Sequence, residues 1–83
     1  MKITVRYFAS IREAFGTSSE ALQTQATTLA QLRDELMQRP GAAGQAMARG
    51  RAVRLALNQV MSEESAALVE GCEVAFFPPV TGG

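Results

Sequence analysis

Thr28-Leu29-Ala30-Gln31-Leu32-Arg33-Asp34-Glu35-Leu36-Met37-Gln38-Arg39-Pro40-Gly41 is the one stretch of the chain with a sustained helical period. Leu29, Leu32 and Leu36 fall on one face with Met37 beside them. Thr28 and Gln31 make a capping-box pattern at its start, and Pro40-Gly41 ends it. On both sides the hydrophobic period drops to two. Upstream, Ile3, Val5 and Tyr7 alternate with Lys2, Thr4, Arg6 and Phe8, which predicts a half-buried strand with an aromatic on its polar face. Ser10 and Glu13 make a further capping-box pattern for a short helix through Ile11, Ala14 and Phe15, stopped by Gly16, and residues 18–25 suit an edge strand. Downstream, the Ala- and Gly-rich stretch Gly41 to Gly50 reads as a connection with one helical turn at Gln45 to Ala48. Val53, Leu55 and Leu57 then alternate with Arg54, Ala56 and Asn58, and a turn at Asn58-Gln59 leads into a short strand at Val60-Met61. After a turn at Glu70-Gly71, Cys72, Val74 and Phe76 alternate with Glu73, Ala75 and Phe77.

The order is strand, strand, helix, strand, short strand, strand. A small mixed sheet covered on one face by one main helix buries this pattern most simply, and that α+β arrangement is the β-grasp, or ubiquitin-like, fold. Residues 1–77 are expected to form the domain, and residues 78–83 a flexible tail. At 83 residues the chain has room for a single modest core.

Composition removes several classes of function. Eight Lys plus Arg balance eight Asp plus Glu, which argues against a basic grip on nucleic acid and against a polybasic membrane anchor. With no histidine and one cysteine, Cys72, a Ser-His-Asp triad, a Cys-His pair and a His-rich or multi-Cys zinc site cannot be built from this chain alone. No metal or cofactor site is expected on it. The longest apolar runs, Ala66 to Val69 and Val74 to Phe77, are far short of the roughly 18 residues of a membrane span, and no signal-peptide pattern opens the sequence. The expectation is a soluble, cytoplasmic protein. Cys72 shares its face with Val74 and Phe76 and reads as a buried, inert thiol.

The tail, Pro78-Pro79-Val80-Thr81-Gly82-Gly83, carries the chemistry. Two prolines favour an extended path, and six residues at this rise reach about 19 Å, long enough to enter another protein's active site. Gly82 and Gly83 remove side-chain bulk, so a narrow channel can close around the backbone and bring a catalytic group to the terminal carbon. Activated by ATP to a mixed anhydride, that carboxyl becomes open to attack, and a sulfur attacker leaves a thiocarboxylate. Set against this is a frayed terminus that happens to be glycine, a coincidence of roughly one chain in two hundred at ordinary glycine usage.

Beside the tail, Phe8 and Phe77 lie opposite the core-facing residues at the C-terminal ends of two strands that a β-grasp makes parallel neighbours. They are expected to form an exposed apolar patch for a partner, with Met61 as a third member, against the alternative that a neighbouring loop covers them as a satellite core. Arg12 is a candidate to pair with an acidic residue of that partner, against the alternative of an ordinary solvated side chain. Arg49, Arg51 and Arg54 make a local positive stretch, and Glu63, Glu64, Glu70 and Glu73 an acidic one, both read as solvated faces.

The segment Phe76-Phe77-Pro78-Pro79-Val80-Thr81-Gly82-Gly83, with Phe8-Ala9, Arg12-Glu13 and Asn58-Gln59, closely resembles the small subunit of molybdopterin synthase, a ubiquitin-like sulfur-carrier family. The resemblance implies that an E1-like adenylating enzyme uses ATP and magnesium to adenylate Gly83, and that a sulfurtransferase or cysteine desulfurase system converts it to a thiocarboxylate. It further implies docking on a large catalytic subunit, in a heterotetramer, through Phe8, Arg12, Met61, Phe77, Pro78, Pro79, Val80 and Thr81. There the sulfur passes to cyclic pyranopterin monophosphate to make the dithiolene of molybdopterin. Two other readings stay open: a carrier feeding thiazole synthesis or transfer-RNA thiolation, and a ubiquitin-like modifier or binding module.

Overall fold

The central helix α2, Leu29–Met37, begins where its first backbone N–H groups find partners. Leu29 and Ala30 donate to the carbonyls of Ala66 and Glu64, Gln31 to the Thr28 hydroxyl at 3.2 Å, and Leu32 to the Thr28 carbonyl. The Leu32 bond is the first of the helical ladder, and the three donors ahead of it, Leu29, Ala30 and Gln31, are thus satisfied from outside it. Half of the expected capping box forms, because the Gln31 side chain turns instead to the backbone and hydroxyl of Thr27. The computed structural model describes residues 1–79, and the expected tail residues Val80, Thr81, Gly82 and Gly83 lie outside the described residues.

The other elements are β1 (Lys2–Tyr7), α1 (Ala9–Phe15), β2 (Ser19–Gln23), α3 (Gly41–Ala46), β3 (Arg54–Leu57), β4 (Val60–Ser62) and β5 (Glu73–Phe77). The five strands form one mixed sheet in the order β2-β1-β5-β3-β4. β1 and β5 run parallel at its centre, with Thr4 opposite Glu73 and Tyr7 opposite Phe76, and every other pairing is antiparallel. This is the β-grasp topology, and β2 is the edge strand its polar sequence predicts. Asn58 and Gln59 both take positive φ, at 50° and 68°, as the two-residue turn of the β3–β4 hairpin requires.

Ile3, Val5, Tyr7, Leu55, Val74 and Phe76 of the sheet meet Leu29, Leu32 and Leu36 of α2, with Ile11 and Met47 closing the ends. Tyr7 stacks on Phe15 with ring centroids 4.0 Å apart. Cys72 is buried in the same cluster.

Two local expectations are corrected. Ser10 does not cap α1, which starts one residue earlier. Ala9 at φ 52° turns the chain straight from β1 into the helix, and the Phe8 carbonyl accepts from Ile11 and Arg12. The Ala/Gly-rich connection is not a late turn at Gln45 but the helix α3 from Gly41. A side chain at Gly44 would collide with the backbone carbonyls of Arg39 and Met37, so this glycine lets α3 fold tightly against the end of α2.

A polar cluster ties the sheet edge to the end of α2. Glu20 accepts from two Arg39 guanidinium nitrogens at 3.0 Å each and from the Tyr7 hydroxyl at 2.6 Å. The Arg39 hydrogen bonds hold the Glu20 carboxyl below its ordinary value of 4.5, while burial and then the Glu20 contact push the Tyr7 phenol upward. A depressed carboxyl pKa contributes stability above the unfolded value that is lost as pH falls through the folded one. Glu20→Gln should therefore melt below the parent chain near neutrality, with the gap closing below about pH 4.5. Melting curves taken across that range check this, and a gap independent of pH would refute it.

Candidate docking face and tail exit

Backbone pairing decides which side chains share the face away from α2. Across the strands Arg6 lies opposite Ala75, Ala75 opposite Ala56, and Ala56 opposite Met61, while Arg54 lies opposite Phe77. Paired residues point to the same side of a sheet, so these form one surface. Ala56 and Ala75 are a shallow floor, only 7% and 8% exposed because larger neighbours stand around them.

Phe8 and Phe77 meet at one end of that floor. The Phe8 backbone N–H donates to the Phe76 carbonyl at 3.1 Å, extending the parallel pairing by one residue. The two rings then sit edge to face with centroids 6.3 Å apart. The Arg6 guanidinium lies 5.3 Å from the Phe8 ring centre. Phe8 remains 40% exposed and Phe77 is half-buried. Met61 is 55% exposed on β4, two strands from Phe77 across the alanine floor. Phe8 and Phe77 therefore form the contiguous pair, and Met61 marks the far side of the same face.

Pro78 and Pro79 follow β5 outside any strand, both half-buried. Pro78 borders a cleft lined by Ser10, Ile11 and Ala14 of α1 and by Ala42, Gln45 and Arg51. Pro79 borders a groove lined by Val53, Arg54, Leu55 and Met61. The root of the tail thus leaves between α1 and the β3–β4 hairpin, at the aromatic end of the face. Arg12 is exposed on α1 and has no ion pair among the described residues. No group of three or more His, Cys, Asp or Glu that could hold a metal occurs among the described residues, and no helix there is long and apolar enough to cross a membrane.

Sequence reasoning placed Phe8 and Phe77 correctly as neighbours because both precede a break at the same end of central strands. It missed the alanine floor. The period-two pattern had already put Ala56 and Ala75 on outward faces, but the β3–β5 register that joins them is not written in either strand.

Residues 5–83 match the ThiS family. A molybdopterin synthase sulfur carrier subunit of Haemophilus influenzae is 35% identical over 81 residues, covering 98% of this chain and 99% of the relative. Among solved structures, SAMP1 from Haloferax volcanii superposes with a TM-score of 0.77 over the whole of both chains at 23% identity, which is a likeness of fold. A protein-protein complex of subunits 1 and 2 of the molybdopterin-converting factor from Helicobacter pylori contains a chain matched over its full length, and over all of this one, at 26% identity and a TM-score of 0.68. The family match over residues 5–83 and the full-length likeness agree: the chain belongs to the ThiS family, where its relatives include molybdopterin synthase sulfur carrier subunits.

Proposed function

We propose that this chain is the sulfur carrier of a molybdopterin synthase and that Gly83 is its cargo site. The observation that carries the reading is the full-length likeness to a molybdopterin synthase sulfur carrier subunit, in a chain whose family match runs through Gly82-Gly83. The chemistry follows from the terminal carboxyl. An E1-like enzyme with ATP and magnesium joins that carboxylate to the α-phosphate of ATP, releasing pyrophosphate. A persulfide on a sulfurtransferase or cysteine desulfurase attacks the acyl carbon and displaces AMP, and a thiol reductant then cleaves the resulting acyl disulfide, leaving the thiocarboxylate and the disulfide of the reductant. The tail then enters a large catalytic subunit in a heterotetramer and delivers sulfur to cyclic pyranopterin monophosphate. Two such deliveries complete the dithiolene. The acid and base groups belong to the partners, and the need for ATP and reduced sulfur favours the cytoplasm.

Docking is assigned to the face built on Phe8, Phe77 and Met61, with Arg12, Pro78, Pro79, Val80 and Thr81 along the entry path. An aromatic pair of one exposed and one half-buried ring beside a shallow floor suits the centre of an interface. Phe77→Ala should weaken binding to the large subunit by about thirtyfold, ~2 kcal/mol, while the domain stays folded. Calorimetric titration measures it, and unchanged affinity would discard the assignment.

Intact-mass measurement after incubation with the adenylating enzyme, ATP, magnesium and a sulfur source tests the function. The expected gain equals the exchange of one oxygen for one sulfur, and the product should make molybdopterin with the large subunit. Lysine-linked adducts or an unchanged mass would point instead to a modifier or a passive module. A thiocarboxylate inactive with a working large subunit would move the acceptor to thiazole or transfer RNA.

A further inference from the structure

The arginines of the stretch from 49 to 54 have separate fates. Arg49 is consumed within the fold, donating to Glu64, to Asp34 at 2.7 Å and to the Ala30 carbonyl at 3.2 Å. Arg51 and Arg54 are exposed and have no carboxylate within ion-pair distance among the described residues. Both stand at the root of the tail. Arg51 lines the cleft that Pro78 borders, and Arg54 lies opposite Phe77 and lines the groove that Pro79 borders.

The acids are distributed differently. Glu20 is held by Arg39, Glu64 by Arg33 and Arg49, and Asp34 by Arg49, while Glu73 lies 4.0 Å from Arg6. Glu13, Glu35, Glu63 and Glu70 pair with no arginine among the described residues. A chain with no net charge thus places two arginines without an ion pair where its tail departs.

We propose that Arg51 and Arg54 form an electropositive collar around the tail root that meets acidic residues at the mouth of the tail-accepting channel of the large subunit. This rests on the reading above that the tail enters such a subunit. Solvated arginines add little to the stability of the free domain, and at an interface rim they act on encounter and orientation. The aromatic pair and Met61 hold the complex once formed, so the collar governs how fast it forms and the apolar face how slowly it parts.

Stopped-flow association of the full chain with the large subunit, at about 0.01 M and about 0.5 M ionic strength, tests the collar. The double variant Arg51→Glu with Arg54→Glu should associate at least about tenfold more slowly at low salt, match the parent at high salt, and dissociate within about threefold of the parent rate. Arg51→Gln with Arg54→Gln should give the same pattern at smaller amplitude, and the double Lys variant should keep the parent rate. Both side chains are exposed, and thermal melts of every variant check folding independently. An association rate and salt slope unchanged by double reversal, or a parent rate indifferent to salt, would overturn the collar while leaving the carrier function intact. A parent chain that accepts sulfur yet fails to bind the large subunit would overturn both the collar and the assigned acceptor.

Discussion

Removal of Gly83 should leave the melting temperature of the domain almost unchanged and abolish sulfur transfer. The buried cluster of the described residues runs from Ile3 to Phe76, and the domain is expected to fold without Gly83. Its loss is expected to change stability by less than about 0.5 kcal/mol. Activity is another matter, because the new terminal carbon would stand about 3.3 Å short of the place where the partner's groups converge. A misplacement of about 1 Å can cost about a hundredfold, so transfer should fall by more than that. Single-turnover transfer from the loaded chain, run beside thermal melts, measures both quantities. Gly83→Ala keeps the reach and adds one methyl group, and should transfer at an intermediate rate if a tight channel surrounds the terminus. Near-parental transfer by the shortened chain would end the proposal that Gly83 is the cargo site.

The largest effect on folding is expected at Arg33. Its side chain is 4% exposed, in a helix whose other buried residues are leucines. The guanidinium donates to the carbonyls of Met47, Ala48 and Arg51 at 2.7, 2.7 and 2.9 Å and pairs with Glu64 at 3.1 Å. It therefore fastens α2 to the segment joining α3 to β3. Arg33→Ala leaves three carbonyls without their donor and a cavity beside Met47, at a cost of ~3–5 kcal/mol. A domain of this length is stable by roughly 4–12 kcal/mol, so the loss is a large fraction of the whole. The melting temperature should fall by about 15 °C or more, whereas Arg33→Lys, which keeps the charge but fewer donors, should fall less. A drop under about 5 °C for the alanine variant would show that the carbonyls find other partners.

Arg33 also shows where sequence reading ends. Nothing in the helical period marks Arg33 for burial, because its partners are mostly backbone carbonyls, which carry no residue-type signal. Ser10 misled for the opposite reason. Its spacing to Glu13 is a genuine capping pattern, but the left-handed Ala9 starts the helix before that pattern can act. The strands, α2 and the Asn58-Gln59 turn were legible because each is fixed by local period or turn chemistry. The candidate docking face was legible in its aromatic pair, whose placement follows from two adjacent central strands. Its alanine floor depends on long-range register, which no single strand encodes.

The parallel pairing of β1 with β5 also bears on how the chain acquires its shape. Thr4 and Glu73 are partners, so the middle of the sheet closes only between segments from opposite ends of the sequence. Such distant closure slows folding, and on a ribosome it waits until β5 has emerged. Before that moment β2-β1 and β3-β4 are two separate ribbons with their inner edges unpaired. A nascent or truncated product therefore lacks the strand that roots the tail, and under the proposed function only a completed, closed sheet would present the terminus for activation.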